Sequence, residues 1–176
     1  MSTDSPLVAD QDVIVDANIF FAIGHPSNPQ YLRFRRAVQR AGVVLKLPQR
    51  VIGELGGPDR DRVRQALEEG WAEIIETPDP TAGDAVAASD IARRTIADVT
   101  GQPEHEVEKT DAIIAGLAIQ YVREQASTDV VVLTDDGPAR NGVENAVRAQ
   151  GYTDTITVYG RSDIIGDDSG DTMRLI

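Results

Sequence analysis

Cysteine is missing from the 176-residue chain, which excludes disulfide frameworks, thiolate zinc sites and cysteine nucleophiles together. Histidine occurs only as His25 and His105, and neither lies in a motif. Aromatic residues make up 5% of the chain, too few to argue for base stacking. No apolar run reaches the roughly 18 residues of a membrane span, so no membrane partner is expected. The opening stretch MSTDSPLVADQD lacks the basic-then-apolar layout of a secretory leader. With cysteine absent as well, the expected location is cytoplasmic.

What the chain has in excess is acid. Asp and Glu number 29 against 17 Lys and Arg, giving a net charge of -12 and a pI near 4.5. Of the bases only Lys46 and Lys109 are lysine, and Asp outnumbers Glu. Abundant Asp with Arg as the remaining base suggests a protein kept hydrated in concentrated salt. There the Debye length is about 3 Å at 1 M and self-repulsion is screened. An ordinary acidic bacterial protein is the plainer alternative. On the salt-adapted reading acidity does not exclude a nucleic-acid partner, because long-range attraction is weak in such a solvent whatever its sign. At 19.0 kDa and 41% apolar, the chain fits one core. We expect a single domain over residues 1–160 and a polar tail over 161–176, partly disordered.

Hydrophobic patterning predicts strands at Val13–Val15, Val43–Leu45, Trp71–Glu76, Val130–Leu133 and Thr155–Tyr159. It predicts helices over 17–23, 29–41, 48–55, 59–69, 82–99, 104–124 and 141–149, with a turn at 78–80. Strands alternating with helices imply an α/β sandwich around a mostly parallel sheet. Ligands in such sheets bind beyond the carboxyl ends of the strands. That rule selects Asp16 and Asp135-Asp136, each just past a strand's last apolar residue. Either acid alone reads equally well as a helix cap.

Two further acids sit in apolar surroundings. Glu54 is the one acid of Val51-Ile52-Gly53-Glu54-Leu55, and Asp111 lies in Thr110-Asp111-Ala112-Ile113-Ile114-Ala115. Small residues at i+4 and i+7 from Asp111, Ala115 and Ala118, are expected to leave space above its carboxylate. A carboxylate facing an apolar interior must be paired or bind metal.

In chain order, strand-Asp16-Ala17-Asn18, helix-Glu54-Leu55, helix-Thr110-Asp111 and strand-Thr134-Asp135-Asp136 together resemble the PIN-domain family of metal-dependent nucleases. The resemblance covers about residues 12–159 and implies a three-layer α/β/α sandwich. Carried over by position, it puts the catalytic, metal-binding acids at Asp16, Glu54, Asp111 and Asp136. Asn18 and Thr134 become supporting polar groups, and Asp135 is acidic enough to share or replace the role of Asp136. With the acid bias, the resemblance suggests a protein of a halophilic archaeon. Gly137-Pro138 departs from the commonest toxin pattern, and Thr134-Asp135-Asp136 with Asn141 looks more like the PIN endonuclease of small-subunit ribosomal RNA maturation. That relative carries a cysteine zinc module, so the branch stays open.

Oxygen-only ligands suit Mg²⁺ or Mn²⁺ rather than zinc. One or two such ions, about 4 Å apart if two, support hydrolysis of an RNA phosphodiester by water. The Arg33, Arg36 and Arg40 stripe and the Arg60, Arg62 and Arg64 cluster are either phosphate contacts or solvated faces paired with the many acids. The resemblance further implies a homodimer and, for the toxin branch, an antitoxin protein that blocks the acidic cleft. Two other readings stand beside the nuclease: a catalytically silent PIN-like binding or scaffold protein, and a response-regulator receiver. The receiver ranks lower because the first strand ends in a single acid and no Lys follows the late apolar strand.

Overall fold

The computed structural model describes residues 5–53, 55–76, 80–125 and 129–166. Five strands, β1 (Asp12–Val15), β2 (Leu45–Pro48), β3 (Ala72–Ile75), β4 (Val130–Leu133) and β5 (Ile156–Tyr159), form one sheet in the order β3-β2-β1-β4-β5. Every pairing is parallel. Among the described residues, eight α-helices accompany them: α1 (Asn18–Ile23), α2 (Pro29–Ala41), α3 (Gln49–Gly53), α4 (Gly57–Glu68), α5 (Gly83–Thr100), α6 (Lys109–Gln125), α7 (Gly137–Ala149) and α8 (Arg161–Ile165).

Alternation along each strand feeds two cores. Val13, Val15, Leu45, Leu47, Val131 and Leu133 pack beneath α1, α2, α4 and α8. Ile14, Val130, Val132, Ile156 and Val158 pack beneath α5, α6 and α7. Both faces are covered, which is the expected α/β/α sandwich and explains why β4 is buried at every position. The first core closes around Trp71, whose ring lies 6.0 Å from that of Phe20, 5.7 Å from Tyr31 and 6.2 Å from Phe34.

Most boundaries shift by one or two residues, and four elements differ more from the sequence reading, each for a physical reason. The second strand is Leu45–Pro48, not Val43–Leu45, because the register with the centre of the sheet sets Leu45 opposite Val13. The β-branched pair before it only leads in. The helix expected over 104–124 splits: a 3₁₀ turn at Glu104–Glu106 precedes α6, and Val107 is extended and buried against Ile96 and Ala97. The helix expected from Asn141 starts at Gly137, since Pro138 falls in the first turn, where its missing N–H costs nothing. Within the tail expected from 161, residues Arg161–Ile165 form α8 with Ile164 buried. Residues 167–176 lie outside the described ones, as does most of the turn expected at 78–80.

The alanines above Asp111 also serve a purpose other than the expected one. Ala115 and Ala118 are wholly buried in the second core beside Ala85, Ala88 and Ala92, so they let α5 and α6 approach. Gly116 marks the tightest point of that crossing. A Cβ there would meet the Ser89 hydroxyl and lie 2.6 Å from the Ala85 carbonyl oxygen. Overpacking a fixed backbone contact costs about 1–3 kcal/mol. Gly116→Val should therefore lower the unfolding free energy by that much, seen as a lower denaturant midpoint at an unchanged m-value, and a wild-type midpoint would refute the close crossing.

Among the described residues, no helix is long and apolar enough to cross a membrane.

Candidate functional site

Strand order reverses between β1 and β4: the chain runs outward from β1 through β2 to β3, then returns to the other side of β1. A crevice is expected beyond the carboxyl ends of those two strands. Val15 lies opposite Leu133, so the next residues, Asp16 and Thr134, emerge side by side. The Asp16 N–H donates to the Leu133 carbonyl at 2.9 Å, which ties the two strand ends together.

Thr134 is the hub of the polar network there and is almost wholly buried. Its hydroxyl donates to Asp16 Oδ2 at 3.2 Å. The same oxygen accepts from Asn18 Nδ2 at 3.2 Å and from the Asp136 N–H at 3.2 Å. Asn18 Oδ1 in turn accepts from the Asp135 N–H at 3.0 Å. Both expected supporting residues thus clamp the two strand ends in one geometry.

Beyond this network opens a cleft of about 660 Å³, walled by Asp16, Asn18, Asp111 and Asp136 together with Phe21, Glu108 and Lys109. Asp16 reaches it from the end of β1, Asp111 from the first turn of α6, and Asp136 from the N-cap of α7. Asp136 is a cap and a cleft residue at once: its Oδ1 accepts from the Ala139 N–H at 3.1 Å. Asp135 turns elsewhere. Its Oδ1 accepts from the Arg161 N–H at 2.6 Å, and its Oδ2 lies 3.5 Å from the Arg161 guanidinium. That guanidinium also donates to the Ala22 carbonyl at 3.0 Å, so Arg161 ties α8 both to α1 and to Asp135 at the end of β4. Glu54 lies outside the described residues.

Asp16 is only 7% exposed, and its carboxyl is pushed up to about 6. Burial is the main cause, and the charge of Asp136 adds to it. Hydrogen bonds from the Thr134 hydroxyl and from the Asn18 and Ala17 N–H groups pull the other way without prevailing. A carboxylate so held is short of positive charge, which a cation in the cleft would supply. Among the described residues, no three His, Asp or Glu close into a ready-made metal cage. Four carboxylates, Asp16, Glu108, Asp111 and Asp136, line the cleft, and such oxygen donors are of the kind a hard cation such as Mg²⁺ would take while keeping several of its waters.

The arginine clusters lie apart from this cleft. Arg33, Arg36 and Arg40 are on α2, Arg36 and Arg40 exposed, and none walls it. The same holds for Arg60, Arg62 and Arg64 on α4, where Arg64 pairs with Asp61. His25 shares a hydrogen bond with the Ser27 hydroxyl at 2.9 Å. His105 lines a neighbouring hollow of about 430 Å³ with Arg50, Arg93, Val107 and Lys109. Lys109 walls both spaces.

Sequence reasoning missed three cleft residues. Glu108 and Lys109 are hidden inside the over-long helix 104–124; the break at Val107 precedes their place on the cleft wall. Phe21 was lost in the low aromatic average, although its spacing of three from Asn18 puts both on one helical face.

A sequence-family model described as Halobacterial PIN domain matches residues 9–173. Neither a search of curated proteins nor one of solved structures gave a match.

Proposed function

The chain belongs to the halobacterial PIN domain family, and from that premise we propose that it is a divalent-cation-dependent endoribonuclease working in concentrated salt. The observation that carries this reading is that Asp16, Asp111 and Asp136, far apart in the chain, wall one cleft where the strand order reverses. These three carboxylates would hold Mg²⁺ or Mn²⁺, with Glu54 as a fourth ligand on the strength of the family resemblance. A cation bound there supplies water activation and neutralises charge on the phosphate oxygens.

The chain's own residues do the positioning. Thr134 fixes Asp16 through Oδ2, and the start of α7 fixes Asp136 through Oδ1, so both carboxylates meet the substrate with little freedom left to lose. Lys109 on the cleft wall offers a positive charge to the phosphate. No side-chain nucleophile is required, which agrees with a chain that has no cysteine and whose histidines stand outside the cleft wall. The repelling carboxylates explain why the site would be inert without its cation.

The test is to incubate the purified chain with single-stranded RNA in molar KCl, with and without Mn²⁺. Cleavage should need the metal, stop on chelation and return when the metal is restored in excess. RNA binding without cleavage under every divalent cation would instead make the chain a silent binding module.

A further inference from the structure

The chain has three phenylalanines. Phe20 and Phe34 are completely buried and belong to the ring cluster around Trp71. Phe21 is 43% exposed, and it stands on the wall of the acidic cleft. Helix α1 buries Ile19, Phe20 and Ile23, which leaves Phe21 on the outward face one turn beyond Asn18. Residues three apart on a helix have Cβ atoms about 5–6 Å apart. The ring therefore shares the wall of one cleft with Asp16, Asp111 and Asp136. In a chain with so few aromatics, an exposed ring at this one place is a surface with a use.

We propose that Phe21 is the platform on which an unpaired base of the RNA stacks, next to the phosphate held at the cleft. The assignment rests on the ribonuclease reading above and names how that site takes its substrate. Salt supplies the physical reason. Phosphate contacts by Lys and Arg lose affinity steeply as salt rises, and at 1 M the Debye length is only about 3 Å. Stacking on a π-face buries apolar surface and is not screened in this way. A strand held in brine against a chain of net charge -12 needs contacts of that kind. Stacking also requires a base that is free of its duplex, so single strands are selected over double strands without any reading of sequence.

The experiment uses the full chain and two variants, Phe21→Ala and Phe21→Trp, in molar KCl with Mn²⁺. Loss of one base–aromatic stack should lower kcat/KM on single-stranded RNA by roughly tenfold, chiefly through KM, and Phe21→Trp should restore it. The deficit of Phe21→Ala should persist as salt is raised. The natural tryptophan, Trp71, is 2% exposed, so RNA should leave wild-type fluorescence unchanged. In Phe21→Trp, single-stranded RNA should quench the new indole, whereas a duplex or an abasic strand should not.

Wild-type KM in Phe21→Ala would overturn the platform, as would equal quenching by the abasic strand. A dimer that Phe21→Ala splits would give the ring to a second copy of the chain and overturn it as well. Failure of the wild type to cut any RNA would sink the nuclease reading itself, a result distinct from all of these.

Discussion

Asp16→Asn should lower Mn²⁺-dependent RNA cleavage by roughly 10²–10³ in kcat, the scale on which a lost preorganised charge acts, while making the metal-free fold more stable. Both effects have one cause. Asp16 is nearly buried, and no described cation balances its charge. Without metal its carboxyl is raised from 3.8 to about 6. Between those values the folded chain keeps a proton that the unfolded chain has given up. Metal-free stability therefore falls as pH rises from about 4 to 6 and stays low above it. At about 1.4 kcal/mol per pKa unit, the charged carboxylate costs up to about 3 kcal/mol at pH 7. The amide carries no charge, so Asp16→Asn recovers that stability and flattens the pH dependence. Thermal melts from pH 4 to 8 in the presence of a chelator check this. A variant less stable than wild type at pH 7 would mean that the carboxylate is compensated by something in the fold, and then a cation is not needed there.

Thr134→Val should impair both stability and cleavage, the opposite pattern in the first respect. The substitution keeps volume and removes only the hydroxyl. Asp16 loses a donor, while Asn18 Nδ2 and the Asp136 N–H lose an acceptor. A buried group left unsatisfied costs about 1–3 kcal/mol. Chemical denaturation should show a loss of that size with an unchanged slope. Cleavage should fall as well, because Asp16 and Asp136 are no longer held in one geometry. Wild-type stability would mean that the three contacts are worth nothing to the fold.

The centre of the sheet and its acids were legible because the signals there are short-range and strong. Val13-Ile14-Val15 and Val130–Leu133 are apolar, mostly β-branched runs, each followed within two residues by an acid. The parallel-sheet rule then locates the crevice without further information. Choosing between Asp135 and Asp136 was beyond the sequence, because it depends on Arg161. That arginine lies in a segment too short and polar to read as a helix, yet it draws Asp135 away from the cleft.

Other differences arose where tertiary packing overrode local preference. The Val43-Val44 pair outscored Lys46 and Pro48 as strand formers, but pairing with β1 decides the register, and Lys46 is accommodated by Glu73 at 2.9 Å. Val107 breaks a helical pattern because it has a hydrophobic nook to fill. Ala115 and Ala118 looked like room for a ligand, but they are room for a helix. Phe21 shows the limit of composition: an average of 5% aromatics says nothing about where one ring stands.

If Asp16 and Asp111 hold a divalent cation in one cleft, Mn²⁺ titrated into the protein in molar KCl is taken up, and its free-ion paramagnetic resonance signal falls accordingly. The wild type should show saturable uptake of one or two ions, lost or strongly weakened in both Asp16→Asn and Asp111→Asn although both remain folded. Uptake that is unchanged in the two variants, or absent from the wild type, would mean that these carboxylates bind no cation.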